Sequence, residues 1–260
     1  MRNFSGKTAL ITGASSGIGA EFARALANVG SHLVLVARRR DRLDVLKKEL
    51  EKSYDIRVQV IAADLSTIKG CKDLISLVHQ EKFSIDILIN NAGFGYEGNF
   101  VNQNFERLSE MIGLNVMSLT LLTKHFGGLM AKRQSGYILL TSSIGGFTPC
   151  PRMAVYDATK AYVLLLGEAL NNEFKENNVV VTTLCPGATQ TEFFDVSGQT
   201  LNALVKMTLM SPKGVAMKSL KGLSRGKSVI IPGLLNKLTV LGLRLLPRPL
   251  MASVARRVMF

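Results

Sequence analysis

The sequence predicts an α/β fold, a doubly wound parallel sheet of about seven strands with helices on both faces. Three observations carry this. Short apolar runs rich in Val, Ile and Leu recur along the chain, each followed by a stretch of helical periodicity, and strands alternating with helices signal a parallel sheet. The first run passes straight into a glycine-rich loop. The chain has 260 residues, 47% of them hydrophobic, enough for one large core, and no linker, repeat or low-complexity tract divides it. Residues 1–260 are therefore expected to form one domain.

The first strand is Lys7-Thr-Ala-Leu-Ile-Thr12, and the loop after it reads Gly13-Ala-Ser-Ser-Gly17-Ile-Gly19. Glycines permit a tight turn and close backbone approach, and the free N–H groups of the helix start, aligned with its dipole, suit a pyrophosphate. The spacing is G-x-x-x-G-x-G, not the general G-x-G-x-x-G dinucleotide fingerprint. The second strand, His32-Leu-Val-Leu-Val-Ala37, ends where a ribose 2′ position is read. An acidic residue there would favour NAD, but Arg38, Arg39 and Arg40 follow. A guanidinium matches a 2′-phosphate, so NADP(H) is favoured over NAD(H), with Arg38, nearest the strand end, as the reader.

A third strand, Arg57-Val-Gln-Val-Ile-Ala62, precedes Asp64-Leu65, and a fourth, opening at Asp86, ends in Asn90-Asn-Ala-Gly93. Both ends lie at the carboxyl edge of the sheet, where open α/β folds bind ligands. Asn115 is a polar residue in an otherwise apolar helix. The fifth strand begins at Tyr137 and ends in Ser142 and Ser143; the sixth, Val179-Val-Val-Thr-Thr-Leu184, leads to Pro186-Gly187-Ala188-Thr189.

Between these last two strands stands Tyr156-Asp-Ala-Thr-Lys160. Residues four apart share a helix face, so the Lys160 ammonium can act on the Tyr156 phenol. A free phenol, with a pKa of about 10, is a poor proton donor or acceptor at neutral pH. Lowering it to about 7 takes roughly 4 kcal/mol of differential stabilisation, more than one exposed charge supplies. A second positive charge is needed, and an oxidised nicotinamide would bring one.

Taken together, Thr12-Gly-x-x-x-Gly-x-Gly19, Asn90-Asn-Ala-Gly93, Asn115, Ser143, Tyr156-x-x-x-Lys160 and Pro186-Gly187 resemble the short-chain dehydrogenase/reductase family, standard-length branch, over roughly residues 5 to 195. The resemblance implies a Rossmann-type fold. It makes Tyr156 the acid that protonates a carbonyl as hydride arrives, or the base in reverse. It makes Lys160 the holder of the nicotinamide ribose and a depressor of the Tyr156 pKa. Ser143 would donate to the substrate oxygen, and Asn115 would anchor a water that relays protons toward Lys160. On the cofactor side it implies Gly13, Ser15, Ser16, Gly17, Ile18 and Gly19 at the phosphates. Asp64 and Leu65 would flank the adenine, and Asn91, Ala92 and Gly93 the adenosine ribose. Pro186, Gly187, Thr189 and Thr191 would lie toward the nicotinamide. One position departs from the pattern: NADP-preferring members often carry a basic residue where Ser16 stands, so the preference rests on Arg38.

The family implies that about residues 191–212 cover the substrate. Phe193, Phe194, Leu201, Leu204, Val205, Met207, Leu209 and Met210 make that segment apolar, which suggests a hydrophobic ketone, aldehyde or alcohol. A Met and Leu stripe is also what core packing produces. The helix after Tyr156 carries one charge in Ala161–Leu170, and an all-round apolar helix needs burial on two sides. Because the family pairs this helix across a two-fold axis, a homodimer or homotetramer is expected.

The net charge of +13 is uneven. All 19 acidic residues lie at or before Asp195, whereas the last 65 residues hold 11 Lys or Arg and no acid. In this basic extension, about 213–260, Leu234, Leu235, Leu238, Leu241 and Leu245 recur at helical spacing, with Lys237 and Arg244 on another face. Such a segment suits peripheral contact with an anionic membrane or an acidic carrier protein; alternatively the leucines pack on the sheet or a second subunit. Pro232, Gly242, Pro247 and Pro249 limit any continuous helix, and the run is too interrupted to span a bilayer. Phe260 is its single aromatic and no nucleic-acid module is recognisable, so nucleic acid is not an expected partner.

Cys71, Cys150 and Cys185 form no C-x-x-C pair, which fits a reducing, cytoplasmic setting, and Cys150 reads as a bystander. His32, His79 and His125 are scattered, and no metal site is expected. No apolar stretch precedes the first strand, so no amino-terminal targeting signal is expected.

Overall fold

In the computed structural model, which describes residues 1–259, Thr8–Thr12 (β1) runs near the middle of a seven-stranded parallel sheet. The other strands are β2 (His32–Ala37), β3 (Val58–Ala62), β4 (Ile87–Asn90), β5 (Gly136–Thr141), β6 (Val179–Leu184) and β7 (Val229–Ile230). Their order is β3-β2-β1-β4-β5-β6-β7, every neighbouring pair parallel. Chain direction across the sheet reverses between β1 and β4, which opens a crevice at their carboxyl ends. Phe260 and the Leu204 side chain, both named above, lie outside the described residues.

The first helices are α1 (Gly17–Ala27), α2 (Arg40–Ser53), α3 (Ile68–Gln80), α4 (Phe105–Ile112), α5 (Leu119–Lys132) and α6 (Ala154–Glu173). They are followed by α7 (Phe193–Ser197), α8 (Ala203–Met207), α9 (Pro212–Leu223), α10 (Leu234–Leu245) and α11 (Arg248–Met259). One sheet face packs Ile11, Leu33 and Leu35 against Phe22, Leu26, Leu43, Leu50, Val215 and Leu220 of α1, α2 and α9. The other packs Leu10, Val34, Leu88 and Ile138 against Leu74, Leu122, Phe126 and Val163 of α3, α5 and α6. Strands buried on both faces need apolar residues at every position, which is why they appear in the sequence as continuous runs rather than alternating ones.

Six strands stand where their apolar runs are. The seventh is two residues long, too short for a periodic signal. The helix expected around Asn115 is not regular: Gly113–Ser118 forms a π-helical turn between α4 and α5. Gly113 packs so tightly on the Ser66 carbonyl that a side chain there would overlap it. The prolines of the extension limit it to two helices rather than one continuous one, α10 and α11, parted at Leu246 and Pro247. Among the described residues no helix is long and apolar enough to cross a membrane.

Candidate active site

The glycine loop turns sharply out of β1 because Gly13 adopts φ +67, a left-handed conformation that favours glycine. A side chain at Gly19 would overlap the Gly13 carbonyl, so the start of α1 can press on the loop only without one. Thr12 ties this loop to the end of β4: its Oγ1 accepts from the N–H groups of Asn91 and Ala92, both at 3.0 Å, and its carbonyl accepts from Asn91 Nδ2 at 3.2 Å. Ser15, Ser16, Gly17 and Ile18 thus rim a bare backbone cradle at the amino end of α1. A Cβ at Gly13, Gly17 or Gly19 would press on Ala92, Thr191 or the Gly13 carbonyl, so glycine lets the loop close on its neighbours; the Ser16 side chain caps no N–H of α1, and a helix start left uncapped in this way fits a dinucleotide pyrophosphate.

Arg38 stands exposed at the end of β2. The arginine turned onto the loop is its neighbour: Arg39 NH2 donates to Ser15 Oγ at 3.1 Å and Ser16 Oγ at 2.9 Å. The sequence reading chose Arg38 as nearest the strand end, but the chain turns into α2 and aims Arg39 at the loop. Arg39 also pairs with Glu192 at 2.8 Å, and Arg42 pairs with the other Glu192 oxygen. Neither Arg39 nor Glu192 was singled out as a contact, because an ion pair across 153 residues leaves no local signal. Nearby, Asp64 is exposed and accepts from the Ser66 N–H at 3.0 Å, while Leu65 is buried beneath it.

The Tyr156 and Lys160 side chains come together on one face of α6, the Lys160 Nζ lying 5.6 Å from the Tyr156 ring centroid. Lys160 Nζ donates to the Thr141 carbonyl at the end of β5, 3.0 Å away. Ser143, just beyond β5, accepts at its Oγ from the Gly145 N–H at 3.0 Å and lies near enough to the Tyr156 hydroxyl to favour its ionised form. Asn115 completes the group from the π turn. Its Oδ1 accepts from the Phe94 N–H at 3.1 Å, and its Nδ2 donates to the Phe94 carbonyl at 2.9 Å and to Thr159 Oγ1 at 3.1 Å. Gly93 sits directly over this set: a Cβ there would come 2.8 Å from Asn115 Oδ1 and 3.2 Å from Lys160 Nζ.

Burial dominates the electrostatics. It raises the Tyr156 phenol above its ordinary value, against the opposing effect of Ser143, and it pushes Lys160 down to about 8. Without a further positive charge, the protein's own groups therefore leave the phenol above its ordinary value, since desolvation outweighs them. Asp157 is also pushed up by burial, to about 8; its Oδ2 accepts from the Cys150 N–H at 3.0 Å. Burial likewise pushes the Cys150 thiol up to about 12. Such a thiol holds its proton at neutral pH.

Across the cleft, the turn Pro186–Thr191 faces the glycine loop. Thr189 Oγ1 donates to the Gly187 carbonyl at 2.9 Å, and a Cβ on Gly17 would touch Thr191 Cγ2 at 3.0 Å. Tyr156 belongs to an apolar cluster with Phe94, Met111, Cys150, Met153 and Ala255, and Phe193 is tilted against its ring at 5.4 Å between centroids. This only partly follows the apolar stripe in the sequence: Met207 is 85% exposed and Met210 packs on the sheet core. Ala255, from α11, was not foreseen. Among the described residues no group of three or more His, Cys, Asp or Glu is placed to hold a metal ion; His79 and His125 meet as a pair, Nε2 to Nε2, at 2.9 Å.

A sequence profile of the short chain dehydrogenase family matches residues 7–202. The chain belongs to that family. An NADP-dependent 3-hydroxy acid dehydrogenase of Schizosaccharomyces pombe is 32% identical over 89% of this chain and 92% of its own. A short-chain dehydrogenase from Sphingobium yanoikuyae, solved with NADPH, is 36% identical over 91% of this chain and 92% of its own, with a TM-score of 0.82. A bulky-bulky ketone specific alcohol dehydrogenase from Comamonas testosteroni is 34% identical over 93% and 95%, with a TM-score of 0.77. The chain is thus a short-chain dehydrogenase/reductase with a nicotinamide-binding Rossmann fold and oxidoreductase activity.

Proposed function

We propose that the whole chain, as one domain, is an NADP(H)-dependent reductase of hydrophobic ketones or aldehydes, with Tyr156 as the acid. The observation that carries this is the meeting of Ser143, Tyr156 and Lys160 under an apolar cover of Phe94, Met153, Phe193 and Ala255. Bound NADPH would supply the hydride. Ser143 and the Tyr156 hydroxyl orient and polarise the carbonyl oxygen, and the phenol, protonated in this buried setting, gives that oxygen its proton. Lys160, cationic below about pH 8, favours the phenolate left behind and is the residue to bind the nicotinamide ribose. Asn115 spends its side chain on Phe94 and Thr159, so its backbone in the π turn is the part that holds a water toward Lys160.

Two arginines serve the 2′-phosphate in this reading: Arg38 at the strand end and Arg39, already turned to Ser15 and Ser16. The NADPH and NADP in the relatives' names support it, as the bulky ketone supports an apolar substrate. The outer face of α6, with Tyr162 and the 67% exposed Leu165, is the proposed homo-oligomer contact. The free cysteines Cys71, Cys150 and Cys185 support a reducing, cytoplasmic setting.

The test is NADPH oxidation, with NADH in parallel, over carbonyl compounds graded from short and polar to long and apolar. Turnover rising with apolar length, and falling by about 10²–10⁴ in Tyr156→Phe while cofactor binding persists, is the expected result. Cofactor binding without turnover on any compound would instead make the protein a cofactor-dependent interaction protein.

A further inference from the structure

The leucines of α10 face away from the protein. Leu234, Leu238, Leu241 and Leu245 fall within an arc of about 60° and a length of about 16 Å at helical geometry. They are 73%, 54%, 56% and 80% exposed, so they do not pack on the sheet. The opposite side of α10 does the packing, through Val240 and Asn236. Asn236 Nδ2 donates to the Pro232 carbonyl at 2.7 Å, and its side chain fills the space beside Gly187. The helix is thus fixed by a polar residue and presents its apolar stripe outward, the reverse of ordinary globular packing.

Next to the amino end of this stripe lies an open cleft of about 340 Å³, lined by Lys218, Lys221, Arg225, Lys227 and Lys237, and by Leu234 itself. All five cations are exposed, and no acidic residue lines the cleft. None occurs anywhere after Asp195. Five uncompensated cations around a concavity suit phosphate oxygens, and a leucine stripe running from it suits the acyl boundary just beneath a layer of phosphates.

We propose that this face docks on an anionic membrane surface, the basic cleft taking lipid head-group phosphate while the α10 leucines enter the interfacial layer. Charge decides against a second copy of the chain, because an isologous contact sets each patch against its own image and brings the two sets of cations together. The docked tail also forms part of the site. Arg244 lies over the Phe147 ring at 5.6 Å, just past Ser143, Asn236 abuts the Pro-Gly turn, and α11 adds Ala255 to the buried apolar cluster that includes Tyr156. On the reductase reading above, docking would turn the helix that abuts the Phe147 loop and the Pro-Gly turn toward the bilayer that holds a lipophilic substrate; the docking itself does not depend on that reading.

The experiment is sedimentation of the full chain with vesicles of phosphatidylcholine alone or mixed with phosphatidylglycerol, at low and high salt, with the oligomeric mass measured by light scattering. Two variants accompany it: Leu238→Gln with Leu241→Gln, and Lys221→Gln with Lys227→Gln. All replaced side chains are exposed, and circular dichroism checks the fold. Wild type should pellet with the anionic vesicles, much less with neutral ones, and release in high salt. Each lysine removed should weaken partition about fivefold. Wild type left in the supernatant with both vesicle types overturns the proposal. So does equal binding to neutral and anionic vesicles that the lysine variant leaves unchanged. A leucine variant that lowers the oligomeric mass, without vesicle binding by wild type, assigns the face to a second copy instead.

Discussion

Glu192→Gln should strengthen binding of the 2′-phosphate. In the structure the Glu192 carboxylate bridges Arg39 and Arg42, occupying the guanidinium that also holds Ser15 and Ser16. A phosphate brought to Arg39 must displace this carboxylate or sit beside a like charge. The Arg39 and Glu192 side chains are 40% and 41% exposed, so each bridge is worth only about 0.2–1 kcal/mol. Two bridges sharing one carboxylate come to about 1 kcal/mol, or roughly fivefold in Kd. The hydrogen bond from Arg42, then that from Arg39, depresses the Glu192 pKa from 4.5 to about 2. A depressed carboxylate pKa makes the pair complete above about pH 4.5 and loses it as pH falls toward 2. At neutral pH the latch is therefore closed, and substitution rather than titration must open it. Calorimetry with 2′,5′-ADP and with 5′-ADP, neither of which carries a nicotinamide, isolates the effect. A gain of about fivefold for 2′,5′-ADP alone is expected. Unchanged or weaker binding refutes the competition, and an equal gain for 5′-ADP assigns it to general charge. Wild type with no preference for 2′,5′-ADP refutes the NADP(H) reading instead.

Gly93→Ala sets a methyl 2.8 Å from Asn115 Oδ1, which the Phe94 N–H holds in place, and 3.2 Å from the Lys160 ammonium, so both must give way. The expected loss in kcat is about 10²-fold, with roughly 1–3 kcal/mol of stability lost by chemical denaturation. Carbonyl reduction should decline as pH rises through about 8, where Lys160, its pKa lowered by burial, loses the charge that favours phenolate; a flat kcat/KM profile to pH 10 would contradict this role. Leu165→Arg, on the outer face of α6, should shift the protein toward monomer by light scattering while leaving far-ultraviolet dichroism unchanged.

What the sequence disclosed, it disclosed through local chemistry. Strands buried on both faces must be apolar at each position, and a loop that brings backbone to within touch of a helix start must be glycine at Gly13 and Gly19. Tyr156 and Lys160 were legible for the same reason, since four residues on a helix is a fixed geometry. Contacts that close over long loops were not. The Arg39 and Glu192 pairing depends on how the chain leaves β2 and returns after β6, and Ala255 joins the apolar cluster around the site only because α11 folds back onto it. The stripe from Leu201 to Met210 left pocket and core both open, because apolar spacing does not say which of two surfaces a side chain meets. In α10 the same ambiguity hid a helix that turns its leucines outward.

Asp157 explains how the site keeps a positive balance. It follows Tyr156 directly, and its carboxyl fits against the bare Gly145 and accepts from the Cys150 N–H, so it fixes the loop that Ser143 begins. An ionised carboxylate there would oppose phenolate and oxyanion alike. Burial removes that conflict by raising its pKa to about 8, so that near pH 7 it is neutral while Lys160 remains a cation. The two groups then titrate over the same range in the same unfavourable direction, from one net positive charge to one net negative. As a carbonyl gains hydride, negative charge grows on its oxygen; below pH 8 the nearest buried ionisable groups favour that charge, and above it they oppose it.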